Sequence, residues 1–242
     1  MPSYAIISDV HANLEALNAV LQNIDEEKVD SLLFLGDSVG YGPDPNECIE
    51  LLKAKSTIVL AGNHDWGAIG LTDTTYFNPF AKVAIEWTSE TLSDENKAFL
   101  DTLPLTESIK ADSIYLVHSS PKEPEKWHYL SYEYEASMYF PCFDDKICFI
   151  GHSHIPFIVE SSPTGKIQSH YNYGEIKKRS RYIINVGSVG QPRDGIPHAA
   201  YALLRDNTVE IKRVSYDIVV TQKKMRKAGL PDYLIERLAF GR

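Results

Sequence analysis

Long apolar runs, paired cysteines and a surplus of basic residues are all missing from this sequence, and each absence removes a class of function. Its apolar stretches stop well short of the roughly 20 residues needed to span a bilayer, so no membrane association is expected. Cys48, Cys142 and Cys148 are odd in number, scattered and without a CxxC pair. They form no disulfide framework, fit a reducing compartment, argue against a structural zinc knot and read as small hydrophobes. Against 24 Lys and Arg stand 33 Asp and Glu, a formal net charge of −9. That field repels polyanions, leaves no footprint for nonspecific nucleic-acid binding and attracts divalent cations. Neither a basic leader nor a small-residue cleavage site precedes the strand-like segment at Tyr4, so a cytoplasmic protein is expected. Repeats and low-complexity tracts are absent too. No shift of composition marks a boundary, so residues 1–242 are expected to form one domain.

What the chain does contain is a series of short runs rich in Ile, Leu and Val: Tyr4–Ser8, Leu32–Leu35, Thr57–Ala61, Ile114–Val117, Ile147–Ile150 and Ile183–Val186. Such runs suit strands buried on both faces, and their alternation with helical periodicity in the first third predicts an α/β fold. Leu14, Leu17, Leu21 and Ile24 share one face of a helix that Asn13 can cap. At Asp44-Pro45-Asn46-Glu47 a second helix is expected, with Asp44 as N-cap and Glu47 completing a capping box. Residues 66–104 form an insert with helix starts at Asn78-Pro79 and Ser93 and an apolar stripe of Phe80, Val83, Ala84 and Trp87, expected to overhang the site as a partial lid. A hairpin is expected around Arg205-Asp206-Asn207, then a helix from about 218 to 228 stopped by Gly229 and Pro231. Tyr129, Tyr132, Tyr134 and Tyr139 are expected on the packed side of a further helix and its approach.

Each strand candidate ends in polar residues: Asp9-Val10-His11, Gly36-Asp37, Gly62-Asn63-His64-Asp65, His118 and Gly151-His152-Ser153-His154. Carboxyl ends of strands in an open α/β sheet lie along one rim, so these five clusters are expected to make one site. Imidazole and oxygen donors in this mixture suit first-row divalent ions. Asp9 and His11 project to the same side and can grip one ion, and His152 and His154 can do the same or divide between two. Gly36, Gly62 and Gly151 stand just before ligands, where a missing Cβ lets the backbone turn and approach the metal.

The order D-x-H, G-D, G-N-H-[E/D], H, G-H-x-H, running from Asp9 to His154, resembles the calcineurin-like binuclear metallophosphoesterases, and Asn185-Val186-Gly187-Ser188 looks like a further strand end of their smaller bacterial members. The resemblance implies a layered β-sandwich flanked by helices, with the active site at the strand carboxyl ends. It also implies hydrolysis of phosphate esters, as a phosphodiesterase, a phosphatase or both, by a hydroxide held between two divalent ions. Manganese, iron, zinc and nickel all suit such donors, with manganese the expected metal in vitro. By the same resemblance Asp9, His11 and His154 bind one ion, Asn63, His118 and His152 the other, and Asp37 bridges them. His64 becomes the catalytic imidazole, oriented by Asp65, and Asn63 also contacts the substrate, a small phosphoester or nucleotide-like molecule. A noncatalytic metal-binding scaffold of the same fold is the alternative, disfavoured because every expected position is filled.

Two departures from the family pattern matter. Ser38 follows Asp37 where the protein Ser/Thr phosphatases read Asp-Arg-Gly, which speaks against that role, and Asp65 stands where many relatives have Glu. Arg193, beyond the last parallel strand, is placed where its planar fork could clamp a substrate phosphate, with a solvated surface turn as an equal alternative. Tyr41 is read as an ordinary loop residue, with stacking on a substrate ring as the sharper possibility. His128, His170 and His198 are expected away from the metals.

Overall fold

Residues 2–242 are described by the structure, a computed structural model. Among the described residues, twelve strands form two six-stranded sheets packed face to face, with helices and 3-10 turns covering the outer faces. In chain order the strands are β1 (Tyr4–Ile7), β2 (Ser31–Phe34), β3 (Ile58–Val59), β4 (Thr106–Ile109), β5 (Ile114–Val117), β6 (Ile147–Ile150), β7 (Phe157–Ser161), β8 (Ile167–His170), β9 (Tyr173–Glu175), β10 (Arg181–Asn185), β11 (Ala199–Arg205) and β12 (Thr208–Val214). The helices are α1 (Leu14–Glu27), α2 (Pro45–Lys55), α3 (Asn63–Ala68), α4 (Pro79–Thr91), α5 (Asp94–Asp101), α6 (Ile218–Lys227) and α7 (Asp232–Arg237).

Strand order in the first sheet is β3-β2-β1-β11-β12-β9, and in the second β4-β5-β6-β10-β7-β8. Each sheet has three adjacent parallel strands, β3-β2-β1 at one edge of the first and β5-β6-β10 in the middle of the second, and its other pairings are antiparallel. Parallel β1, β2, β5, β6 and β10 are mostly apolar because both of their faces are covered, and so is antiparallel β11. Along β6, Ile147 and Phe149 point into the core between the sheets, whereas Cys148 and Ile150 point outward beneath Leu130, Ala136 and Phe140. Along β1 the same alternation sends Tyr4 and Ile6 inward and Ala5 and Ile7 against Leu17, Val20 and Leu21 of α1.

Several sequence-based expectations have direct counterparts. Asn13 Oδ1 accepts from the Ala16 N–H at 3.2 Å and starts α1, and Asn78 and Ser93 cap α4 and α5 in the same way. Asp206 and Asn207, both at positive φ (51° and 57°), make the two-residue turn joining β11 to β12. Three details differ. Asp44 makes no side-chain cap to α2; its carboxylate accepts instead from Lys224 Nζ at 2.9 Å, tying the start of α2 to α6. The buried positions of α4 are Ala81, Ala84, Ile85 and Thr88, whereas Phe80 and Val83 are exposed, because Phe80 stacks on Tyr233 of α7 rather than entering the core. The tyrosine segment is a 3-10 turn, Glu133–Met138, with Tyr132 and Tyr134 stacked on each other in solvent. Among the described residues no helix is long and apolar enough to cross a membrane.

Phe149 is fully buried at the centre of the inter-sheet core. Phe149→Ala is expected to lower unfolding free energy by about 3–5 kcal/mol, read as a shifted midpoint in urea denaturation.

Candidate metal centre

Six parallel strands end at a common edge, and the polar residues that follow them meet there. Asp9 and His11 follow β1, Asp37 follows β2, Asn63 and His64 open α3 beyond β3, His118 follows β5, and His152 and His154 follow β6. All eight side chains are buried. Main-chain hydrogen bonds lock these turns together: Asp9 N–H donates to Gly36 O and His11 N–H to Asp37 O, both at 3.0 Å, and Gly151 N–H to His118 O at 2.8 Å. Between the sheets, the His152 N–H donates to Asp9 Oδ2 at 3.0 Å and Ser188 Oγ to Asp9 O at 2.8 Å.

This convergence strains the backbone. Asp9, His11, Asp37, His152 and His154 all have φ between 49° and 64°, a region costing non-glycine residues about 1–3 kcal/mol each and found where function requires it. Gly62 and Gly151 are needed for a different reason from turning the chain. A Cβ on Gly62 would lie 2.1 Å from Asp37 Oδ1, and one on Gly151 would lie 2.4 Å from Asp9 Oδ2. Both glycines make room for a carboxylate.

Asp9 Oδ1 lies 3.1 Å from His154 Nε2 and 3.7 Å from His11 Nε2, and those two imidazole nitrogens are 3.0 Å apart. Asp37 Oδ2 lies 3.6 Å from His11 Nε2 and 3.3 Å from His118 Nε2, which places it between the Asp9–His11–His154 group and the His118–His152 group. His11, His118 and His154 each point Nδ1 at a main-chain oxygen, of Val39, Leu35 and Gln191 respectively, at 3.0, 3.1 and 2.6 Å. A carbonyl only accepts, so Nδ1 carries a hydrogen and Nε2 is the atom left to face the centre. His152 is reversed: its Nε2 sits 3.0 Å from Trp127 O, which leaves Nδ1 as the free ligand atom.

A cation fits this arrangement. Asn63 Oδ1 is buried without a hydrogen-bond partner, and Asp9 Oδ1 and His118 Nε2 face only other donors of the centre, His154 Nε2 at 3.1 Å and Asp37 Oδ2 at 3.3 Å, a costly crowding of polar atoms unless a cation joins them. Three groups of buried donors have their ligand atoms within 4.8 Å of one another: Asp9, His11 and His154; Asp37, His118 and His152; and His11, Asp37 and His64. Nitrogen and oxygen donors of this kind suit a first-row divalent ion.

Electrostatics agree. Burial alone would raise the two carboxyls, but His154 and His11 hold Asp9, and His118 and His64 hold Asp37, well below the usual carboxylate range. Burial works to lower His118, yet the Asp37 carboxylate beside it pushes the imidazole up to about 9. Burial, aided by the charge on His118, lowers His152 to about 3, and burial with Arg193 nearby does the same to His154. Without metal, His118 is therefore charged at pH 7 while His152 and His154 are neutral.

Asp65 is not where the sequence suggests. Its carboxylate accepts from the N–H groups of Asp37 and Gly62, both at 2.9 Å, and from the N–H and Oγ of Ser38. The His64 Nδ1 has no partner. With its shorter side chain Asp65 braces the Asp37 loop rather than the His64 ring, and burial next to Asp37 raises it to about 6. Arg193 reaches the site edge: Nη2 donates to Gln191 Oε1 at 2.8 Å and Tyr41 Oη at 3.2 Å. Tyr41 is buried against the rings of His11 and His64, with centroids at 4.6 and 4.5 Å. His170 pairs with Glu160 and His128 with Glu123, both outside the centre. Sequence reasoning missed the parts played by Trp127 O, Tyr129, which stacks on His152 at 4.0 Å, and the carbonyls of Leu35, Val39 and Gln191. A main-chain acceptor leaves no mark in side-chain identity, so only strand register could have found those carbonyls.

Residues 3–208 match the family described as the calcineurin-like phosphoesterase superfamily domain. An uncharacterized protein of Methanocaldococcus jannaschii is 44% identical over 242 aligned positions, covering 98% of each chain. A metallophosphoesterase from Sphaerobacter thermophilus superimposes with a TM-score of 0.87 at 40% identity, covering 100% of this chain and 99% of the other. A hypothetical protein from Pyrococcus horikoshii shares the fold at a TM-score of 0.80 and 21% identity, with 100% and 99% coverage.

Because His118 must lose its proton to ligate, metal affinity is expected to rise with pH toward about 9, by up to about tenfold per unit. Calorimetric manganese titrations between pH 6.5 and 8.5, in buffers of different ionisation heat, should show about one proton released from this residue at pH 7.

Proposed function

Because this chain belongs to the calcineurin-like phosphoesterase superfamily, we propose that it hydrolyses phosphoesters at the Asp9–His154 cluster with two divalent ions bound there. One observation carries this reading: Asp37 lies between two groups of buried donors whose inward-facing atoms crowd on one another at 3.0–3.7 Å. Asp9, His11 and His154 would hold one ion and Asn63, His118 and His152 the other, with Asp37 shared. Such ions supply a water acidified from a pKa of 15.7 toward about 7 and a positive field for the phosphate. Two dications outweigh the charges of Asp9 and Asp37, so the loaded centre suits an anionic ester.

The remaining side chains orient the substrate. Arg193, whose backbone N–H donates to His154 O at 3.3 Å, presents a guanidinium next to the cluster with its Nε unpartnered. That fork matches phosphate oxygens and resists displacement, because Tyr41 and Gln191 fix its other arm. Asn63 offers its amide hydrogens to a phosphate oxygen. His64 stands at the rim, wedged among Tyr41, His11 and Phe77. Burial holds its imidazole well below the usual histidine range, so the ring is neutral at pH 7. A neutral imidazole donates one N–H, and its task is to hydrogen-bond the departing oxygen as charge builds there.

A noncatalytic scaffold needs neither a complete donor set nor His64, and both are present here. His64→Ala is expected to cut manganese-dependent turnover of alkyl phosphoesters by about 100-fold or more, and that of p-nitrophenyl phosphate or bis-p-nitrophenyl phosphate by about tenfold or less. Equal losses would remove His64 from leaving-group stabilisation. If no phosphoester showed chelator-sensitive turnover, the scaffold reading would replace hydrolysis.

A further inference from the structure

We propose that the cavity beside the donor cluster binds an amino-bearing nitrogen heterocycle, so that the phosphoester acted on here is of the nucleotide class; this rests on the phosphoesterase reading above. The cavity measures about 660 Å³, far more than a phosphate group fills and typical of sites for whole small molecules. Asn63, His64 and His152 form its inner end, so a molecule with its phosphorus at the cluster must extend its organic part into this space.

The walls there are aromatic: Tyr41, Trp66, Tyr76, Phe77, Trp127 and Tyr129. Three of them come from the insert and α3, and two from the loop between β5 and β6. The two sides are joined, since Trp127 Nε1 donates to Thr72 Oγ1 at 3.2 Å and the Trp127 and Trp66 rings meet edge to face at 5.5 Å. Trp127 also holds the tautomer of His152 through its carbonyl, so the same residue shapes the wall and sets a donor. Tyr76 is 90% exposed and Leu71 50% exposed, large apolar side chains at the mouth that gain if a flat ring covers them.

The polar groups of the cavity select among flat rings. Asp73 and Glu125 are carboxylates on the lining, both exposed and able to accept hydrogen bonds. A phenyl ring has no donor to offer them, whereas the exocyclic amino group of a base does. Sugar alone would leave the aromatic walls uncovered. Stacking on aromatic side chains tolerates any base, so class rather than base identity follows.

The test is a binding comparison that needs no turnover. Adenosine 5′-monophosphate, ribose 5-phosphate and phenyl phosphate are titrated into the manganese-loaded protein, with tryptophan emission excited at about 295 nm. Trp66 and Trp127 line the cavity and the remaining tryptophan, Trp87, does not, so a Trp87→Phe variant reports on the cavity alone. The nucleotide is expected to bind about tenfold or more tighter than either of the others, and Tyr76→Ala, at a nearly fully exposed position, is expected to narrow that ratio. Equal affinity for nucleotide and ribose phosphate, or no quenching by either, overturns the proposal; equal affinity for nucleotide and phenyl phosphate overturns its heterocycle preference. Absence of turnover on every phosphoester would sink the hydrolytic reading alone, because these affinities are measured without it.

Discussion

Burying two carboxylates and four imidazoles within a few ångströms, with ligand atoms that face one another, is the constraint on which the rest of this molecule turns. Desolvation alone makes such a centre unfavourable, and the left-handed backbone at Asp9, His11, Asp37, His152 and His154 adds to the cost. The fold supports it by surrounding the strained turns with two well-packed sheets. Main-chain bonds such as Asp9 N–H to Gly36 O and His152 N–H to Asp9 Oδ2 then leave those turns no alternative arrangement.

The two sheets supply the centre in a balanced way. Three parallel strands in each carry donors on their carboxyl ends or, at β10, a run that clips the other turns: Asn185 Nδ2 donates to Gly151 O at 2.7 Å and Ser188 Oγ to Asp9 O. Neither sheet holds a complete donor set. Asp37 of the first sheet lies 3.3 Å from His118 of the second, and His154 of the second lies 3.1 Å from Asp9 of the first. The donors of each group thus come from both sheets, which pack on one another through inter-sheet residues such as Ile6 and Phe149.

Much of this was legible in the sequence, for a physical reason. Parallel strands buried on both faces must be continuous apolar runs, and a polar cluster ending such a run has few other uses. The donors at Asp9, His11, Asp37, Asn63, His118, His152 and His154 therefore stood out, and the structure groups the carboxylates and imidazoles among them within 4.8 Å of their neighbours. β4, β7, β8 and β9 were not found, because short antiparallel strands such as Thr106–Ile109 and Tyr173–Glu175 mix polar and apolar residues without a clear period. The role of Asp65 was misplaced because side-chain type cannot show which of two neighbours a carboxylate reaches. Likewise, Asp44 looked like a helix cap until Lys224, 180 positions away, was seen to hold it. Main-chain contributions, above all Trp127 O on His152, lie outside what residue identities encode.

The central claim is that a pair of cations shares Asp37 at the junction of the two sheets. It is tested most directly by a crystal structure of the manganese-loaded protein with anomalous diffraction data. Two anomalous peaks per chain are predicted, one beside Asp9, His11 and His154 and the other beside Asn63, His118 and His152, with the Asp37 carboxylate touching both. A metal-replete crystal without anomalous density at Asp37, or with ions bound only elsewhere on the surface, would contradict the account.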